Sequence, residues 1–501
     1  MGKRLLYPAC LAAAILAGYW GVLHLTLHSE DFGLIAGGDS WGFGGTGFFR
    51  PIVILVLHGL HRVVGWNPSA FHGLLLAVHL VNSWLLYLLL RRWLASAHAA
   101  FFGALLLALH PLVSEAVIWV SALTSALALL WILASVLCWD RALAGGPGPR
   151  AWWFAAGLAF QVLALGSKEV GVVTVFLLAA VSAARGAVPG RATRPLAASL
   201  ALTGAHAAFY VSTRLPDSGS PVSLGYHTLR NLRHFLLSAV SLGPLQDRAL
   251  VRADRWLGLP APGPEGGGQP GPLLPVLLAL LGLVLLGALA WRLRTRWTAV
   301  GLVWIFAGGL FLWVRPFHVL EWSYPYPSRL YLLPLAGFAI FVASVLDRAA
   351  HVGGRPGRLA SLALVILVFM IGVGNIHRRI EDWEKASFLV RRTLTAFQHV
   401  VSAGLPPGTT RIVLVNPPDS YREAFVFRNG LPEAIAACCP PPVPVTVVRE
   451  SGPPHRPPGQ LEALVLWWYP QAGTWIRIPA VDPLPPGHGS RRGPQAAAGR
   501  E

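Results

Sequence analysis

The 501-residue sequence predicts an all-α polytopic membrane protein of about 11 spans that carries a small extracytoplasmic α/β domain at its C-terminal end. Three observations lead there. Hydrophobic residues make up 54% of the chain and charged residues only 12%. Mean hydropathy is +0.56. Apolar stretches close to the ~20 residues that cross a bilayer recur through the first three-quarters of the chain. A soluble enzyme with a large core does not combine these features.

The apolar stretches run over residues 5–27, 70–90, 93–109, 119–139, 151–166, 170–184, 195–213, 273–291, 298–314, 329–346 and 358–376. The formal charge of +18 would suit nucleic acid, but the basic residues sit at the ends of spans, where membrane topology explains them. With Lys3-Arg4 cytoplasmic, Arg91-Arg92, Arg141 to Arg150, Arg185 to Arg194, Arg292 to Arg296 and Asp347 to Arg358 share that side. This requires residues 214–271 to stay outside, with an apolar helix at 229–244 on the outer face. The N-terminus is then inside and the C-terminus outside, in a multi-pass protein of a bacterial inner membrane. The first apolar run is longer than a signal-peptide core and no A-x-A site precedes His28, so it is expected to remain as a span.

Cys10 and Cys138 fall in spans, and Cys438-Cys439 are neighbours that pair only under strain, so neither a metal spacing nor a disulfide framework is present. Beyond residue 376 the character of the chain changes. An amphipathic helix is expected over 381–403, strands at Arg411 to Val415, Val443 to Val448 and Ala463 to Trp468, and a short helix at Pro432 to Ala437. The division is a membrane domain at 1–376, an α/β domain at 377–484 and a disordered Gly/Pro/Arg/Ala tail at 485–501. No 34-residue repeat is present.

Polar residues gather at the outer ends of spans. The first outer loop holds Glu30, Asp31 and Asp39, then Phe49-Arg50-Pro51 and an apolar helix at 52–64, too short to span and suited to the interface. The second is His110-Pro111 followed by Ser114-Glu115, the third Gly166-Ser167-Lys168-Glu169, and the fourth carries Arg315, His318, Glu321, Arg329 and Tyr331. Acids this close to a bilayer are costly to desolvate, which favours a functional reading. Each group also has a bland one. An acid beside Lys or Arg at a helix end is often a solvated flank, His110-Pro111 stops a helix, and interfacial Arg and Tyr are ordinary anchors. Lys168 stands out because the chain has three lysines, so arginine carries nearly all other cationic work.

One order of motifs ties these loops together: Glu30-Asp31, Phe49-Arg50-Pro51, Gly65-Trp66-Asn67-Pro68 with Phe71-His72, His110-Pro111 with Glu115-Ala116-Val117, Ser167-Lys168-Glu169, and Arg329-Leu330-Tyr331 with Pro334 and Gly337. It resembles the membrane domain of the transmembrane and TPR-containing O-mannosyltransferases and their bacterial relatives, within the GT-C superfamily of glycosyltransferases. The resemblance covers most of residues 1–346 and implies an inverting transferase that takes a sugar from a polyprenyl-phosphate carrier at the outer leaflet. It places the catalytic acid at Asp31, with Glu30 where a first Asp is frequent, and a further acid at Glu115. Two positions depart from it: Ser121 to Ser125 replace a Gly-Arg-Ala-Glu stretch, and Ser328 replaces an acid. The missing TPR array leaves the acceptor open among protein, lipid and glycan.

The chemistry of such a transfer asks for a base near the acceptor hydroxyl and cations near the departing phosphate. Asp31 with Glu30 and Glu115 suits the first need, and Lys168, Arg50, Arg315 and Arg329 suit the second through charge-assisted hydrogen bonds. His110, Glu169 and Tyr331 are expected to position donor or acceptor. No cofactor is required; adjacent acids are a weak signal for a divalent cation. The expected partners are the lipid-linked donor, membrane lipid and the acceptor, with no nucleic acid. The competing classes are a flippase for a charged lipid, which would place its charges at mid-bilayer, and a non-catalytic assembly subunit.

Overall fold

The structure, a computed structural model, describes residues 2–37, 49–145, 149–187, 190–213, 226–241, 274–313, 328–422, 424–449 and 463–478. Sixteen helices are used below, in chain order: α1 Gly2–Tyr19, α2 Asp31–Ala36, α3 Pro51–Val64, α4 Pro68–Trp93, α5 Ala97–Leu109, α6 Ser114–Ile118, α7 Leu123–Leu143, α8 Arg150–Ser167, α9 Thr174–Ala184, α10 Thr193–Thr213, α11 Tyr226–Val240, α12 Leu274–Arg292, α13 Arg296–Gly308, α14 Leu310–Trp313, α15 Leu332–Ser402 and α16 Leu431–Cys438. All eleven apolar stretches fall on helices. Among the described residues, five helices are long and apolar enough to cross a membrane, or six if the bent pair 97–109 and 111–118 counts as one. The chain is thus an integral membrane protein, an apolar helical assembly with a small α/β unit at its end.

Helices α5 and α7 are largely apolar all round, and most of their residues are buried inside the assembly. Helix α5 packs between α4 and α15, with Leu105 to Leu109 at 0–2% exposure. Its end is set by His110-Pro111, which bends the chain by 48° into a second short helical piece. Helix α13 lies against α15 at very close range. A Cβ at Gly337 would sit 2.5 Å from the Ile305 nitrogen, so only glycine permits that backbone approach.

The basic ends of the spans come together at one pole. Asp140, fully buried, accepts from Arg92 Nε at 2.6 Å, Trp93 Nε1 at 3.0 Å and Arg185 Nη2 at 2.7 Å, while Asp347 accepts from the Ser96 amide at 2.7 Å. One carboxylate thereby staples the ends of α4, α7 and α9. The described residues of the four outer loops of the sequence reading meet at the opposite pole.

Helix α15 breaks at Gly354 (φ +57). The apolar and polar run after it, 362–402, is 41 residues of continuous helix, about 60 Å at 1.5 Å per residue and twice the ~30 Å hydrocarbon thickness. No break occurs at 376/377, where composition changes. The amphipathic helix expected over 381–403 is the continuation of the last span. It is a shaft for the α/β unit, whose sheet has the order β4 (Val445–Val448), β1 (Arg411–Val415), β5 (Ala463–Tyr469), β6 (Thr474–Ile478). Strand β1 runs parallel to β4 and β5, and β6, absent from the sequence reading, closes the edge antiparallel. Ile412, Leu414, Leu464, Leu466 and Trp475 join the main core, and Trp475 Nε1 donates to Thr393 O of the shaft at 3.2 Å. A two-stranded ribbon, β2 (Ser420–Tyr421) with β3 (Ala424–Phe425), leads to α16. The tail 485–501 lies outside the described residues.

Candidate active site

Asp31 opens α2 directly after the first span and is fully buried. Its Oδ1 accepts from Ser121 twice, from the amide at 2.7 Å and from the hydroxyl at 2.5 Å, and its Oδ2 accepts from the His28 amide at 2.9 Å. Burial pushes the carboxyl up from its ordinary value to about 7. Those hydrogen bonds pull against the rise, and the charge of Glu30 adds to it. Such a group is half ionised near neutrality, as a general base requires. His28, also buried, is pushed down to about 3 by desolvation and so stays neutral. Its Nδ1 donates to Phe425 O at 2.9 Å, which leaves Nε2 to accept from Ser387 Oγ at 3.0 Å.

Glu30 turns away from Asp31. Its Oε1 accepts from Asn429 Nδ2 of the α/β unit at 3.0 Å. The two adjacent acids therefore have separate partners and make no joint cradle for a cation. Among the described residues no group of three His, Cys, Asp or Glu side chains is placed to hold a metal.

Glu115, on α6, takes Arg329 in two ways: Oε2 accepts from the Arg329 amide at 3.0 Å, and Oε1 from its guanidinium. The same guanidinium lies 4.6 Å over the Trp119 ring, a desolvated cation–π contact. Lys168 is 7% exposed, and its ammonium donates to Ser125 Oγ at 2.7 Å. Glu169 is held instead by Arg50, through Nη2 at 3.1 Å and Nε at 3.3 Å. Ser125, Lys168, Glu169, Arg329, Gly308 and Leu333 line a single cavity. Two cations, the Glu169 carboxylate and a hydroxyl thus line a space with otherwise apolar walls.

Three of the expected site residues have partners within the protein. His110 has both ring nitrogens committed to backbone: Nδ1 accepts from the Leu112 amide at 3.2 Å, and Nε2 reaches Ala239 O at 3.0 Å. It fastens the bend of the chain to α11. Tyr331, 1% exposed, bonds His234 Nδ1 at 3.1 Å and packs on Phe235, which makes it a core residue. Arg50 reaches the site as the partner of Glu169. Asp39, Arg315, His318 and Glu321 lie outside the described residues.

Ser121 to Ser125 were read as a departure, yet they join the site together with Trp119 just before them. Ser121 holds Asp31, Ser125 holds Lys168, and Trp119 supports Arg329. Ser121 and Ser125 are about one helical turn apart, so the carboxylate and the ammonium are set on one rigid piece. Serines in an apolar run carry no signal of their own, and only the fold shows what they hold.

No family model matches the chain, and no curated protein matches it by sequence. Among solved structures, ArnT from Cupriavidus metallidurans bound to undecaprenyl phosphate is similar at a TM-score of 0.46 and 14% identity, over 89% of this chain and 90% of that one. An Archaeoglobus fulgidus oligosaccharyltransferase, tethered to an acceptor peptide containing the NVT sequon, is similar at 0.42 and 14% identity, over 84% of this chain and 61% of that one. At these values the likeness carries no weight for the chemistry, which rests on the side chains themselves.

Proposed function

We propose that this chain is an inverting glycosyltransferase of the GT-C type, moving a hexose, mannose first among candidates, from a polyprenyl-phosphate carrier to an acceptor hydroxyl at the outer face of the membrane. The observation that carries the reading is the Trp119–Ser125 stretch, which holds a buried carboxylate of neutral pKa on one side and a cation-lined cavity on the other. A single displacement uses both halves. Asp31 takes the proton of the acceptor hydroxyl as its oxygen bonds to the anomeric carbon. The bond from that carbon to the phosphate oxygen breaks, and polyprenyl phosphate leaves with the electron pair. Lys168 and Arg329 stabilise the departing dianion from a low-dielectric wall. Glu115 holds Arg329 in place, and the Arg50–Glu169 pair fixes the loop that carries Lys168. Attack opposite to the leaving group inverts the anomeric centre and needs no covalent enzyme intermediate. The acidic pole faces outward, with the Asp140 pole cytoplasmic in a bacterial inner membrane.

The flippase alternative loses ground because the site charges sit at one pole and not at mid-bilayer. Binding of polyprenyl phosphate tests the donor half. Purified protein should bind it, and Lys168→Met should weaken binding by at least roughly tenfold, about 1.4 kcal/mol. Equal binding by both proteins would remove the phosphate site from this cavity.

A further inference from the structure

The carboxylate that must meet an acceptor hydroxyl has no exposed surface. Packed on residues 28–30, immediately before it in the chain, is one segment of the α/β unit, Phe425 to Gly430. Four hydrogen bonds join the two. His28 Nδ1 donates to Phe425 O at 2.9 Å, the Ser29 amide to Val426 O at 3.0 Å, the Asn429 amide to Ser29 Oγ at 3.2 Å, and Asn429 Nδ2 to Glu30 Oε1 at 3.0 Å. The approach is as close as backbone allows. Gly430 has φ +79, and a Cβ there would lie 2.1 Å from the Ser29 carbonyl oxygen. Ser29 itself holds φ +49 to meet the segment.

Within its own unit the segment is well braced. Arg449 donates to Phe427 O at 2.6 Å and to Pro417 O at 3.2 Å, and Arg428 pairs with Asp419 at 3.2 Å. A lift of the segment would break the bonds to residues 28–30 and unseat the Phe425 ring from Trp119, while keeping these bonds of its own. On its inner side the Phe425 ring meets Trp119 at 4.8 Å, and Trp119 carries the Arg329 guanidinium on its ring. A change in the seating of Phe425 thus reaches the arginine beside the donor cavity.

We propose that Phe425 to Gly430 is a roof over the catalytic chamber that must lift before an acceptor reaches Asp31, and that the Phe425–Trp119–Arg329 stack couples its position to the grip on donor phosphate. The inference rests on the reading of Asp31 as the base.

A reversible staple tests it. A Cβ at Gly33 of α2 would lie 3.8 Å from Glu433 Cγ of α16, so Gly33→Cys with Glu433→Cys places two thiols across the joint, outside the catalytic groups. Cys438→Ser and Cys439→Ser remove the thiols nearest to them. Two readouts follow, amide exchange at Ser29 and Asn429 and transfer from a polyprenyl-phosphate hexose. Oxidation should slow exchange at both amides and lower transfer, each by at least roughly tenfold, and reductant should reverse both. Unchanged exchange in the oxidised protein would overturn the moving roof. Slowed exchange with undiminished transfer would overturn its place on the acceptor's path. Slowed exchange with no transfer by the unmodified protein from any such donor would leave the moving segment standing and remove Asp31's role as base, and with it the gate on catalysis.

Discussion

A carboxylate with three hydrogen bonds and no water would ordinarily ionise easily through the bonds and poorly through the burial; at Asp31 burial wins, and the pKa settles at about 7. The sign of the consequence is fixed by chemistry. A base works ionised, so turnover should fall as pH drops below about 7, with one group titrating, and this limb should be absent from the residual activity of Asp31→Asn. The folded pKa lies above the ordinary 3.8. The folded state therefore binds this proton more tightly, and the group's contribution to stability declines as pH rises from about 4 to about 7. The amide in Asp31→Asn can still accept from Ser121, but its NH2 would face the His28 amide donor-to-donor, at a cost of about 1–3 kcal/mol. Thermal melts should show that modest loss with insertion intact. At this scale the sequence was partly legible. Asp31, Glu115 and Lys168 announced themselves as rare charges in an apolar chain, and order in the chain paired none of them correctly. Lys168 bonds a serine 43 positions away, and Glu169 pairs with Arg50, 119 positions away.

Elements were the most legible level, because each apolar stretch had to become a helix to satisfy its backbone in lipid. The signal was weaker where lipid no longer imposes that rule. The shaft beyond residue 376 was read as a separate helix because its composition changes, whereas the hydrogen-bond ladder continues through the change. Strand β6 was missed because Thr474 to Ile478, an edge strand of five residues, is short and mixed in polarity. Pairing of the spans at the basic pole was also unreadable, since it depends on one buried acid. Asp140→Ala should leave Arg92 and Arg185 facing each other without a counter-charge and lower stability by about 3 kcal/mol, the low end for a broken buried pair because both guanidiniums keep some water. A melting curve in detergent checks this. Unchanged stability would mean that helix packing alone sets this pole.

Over the whole molecule, two poles of opposite use emerge. One gathers the arginine-rich loops around Asp140, and the other gathers the four polar loops around Asp31 and Lys168, with the α/β unit seated on the second. That segregation agrees with the grouping of the arginines at the ends of spans, which the sequence already displayed. The covering of residues 28–30 by residues 425–430 was not legible there, because a contact across some 400 positions leaves no local trace. Reporters fused after Gly404 and within Ala144 to Pro149 should signal opposite sides, outside and inside respectively; the same side for both would dissolve the two-pole arrangement. The central claim is that Asp31 is the base of a sugar transfer from a lipid-linked donor. It is tested most directly with purified wild-type and Asp31→Asn protein in lipid, a radiolabelled polyprenyl-phosphate hexose and membrane extract as acceptor source. Wild-type protein should move label into acceptor material, and Asp31→Asn should do so about 10²–10⁴-fold more slowly while still binding the donor. Label transferred at equal rates by both proteins would contradict the account.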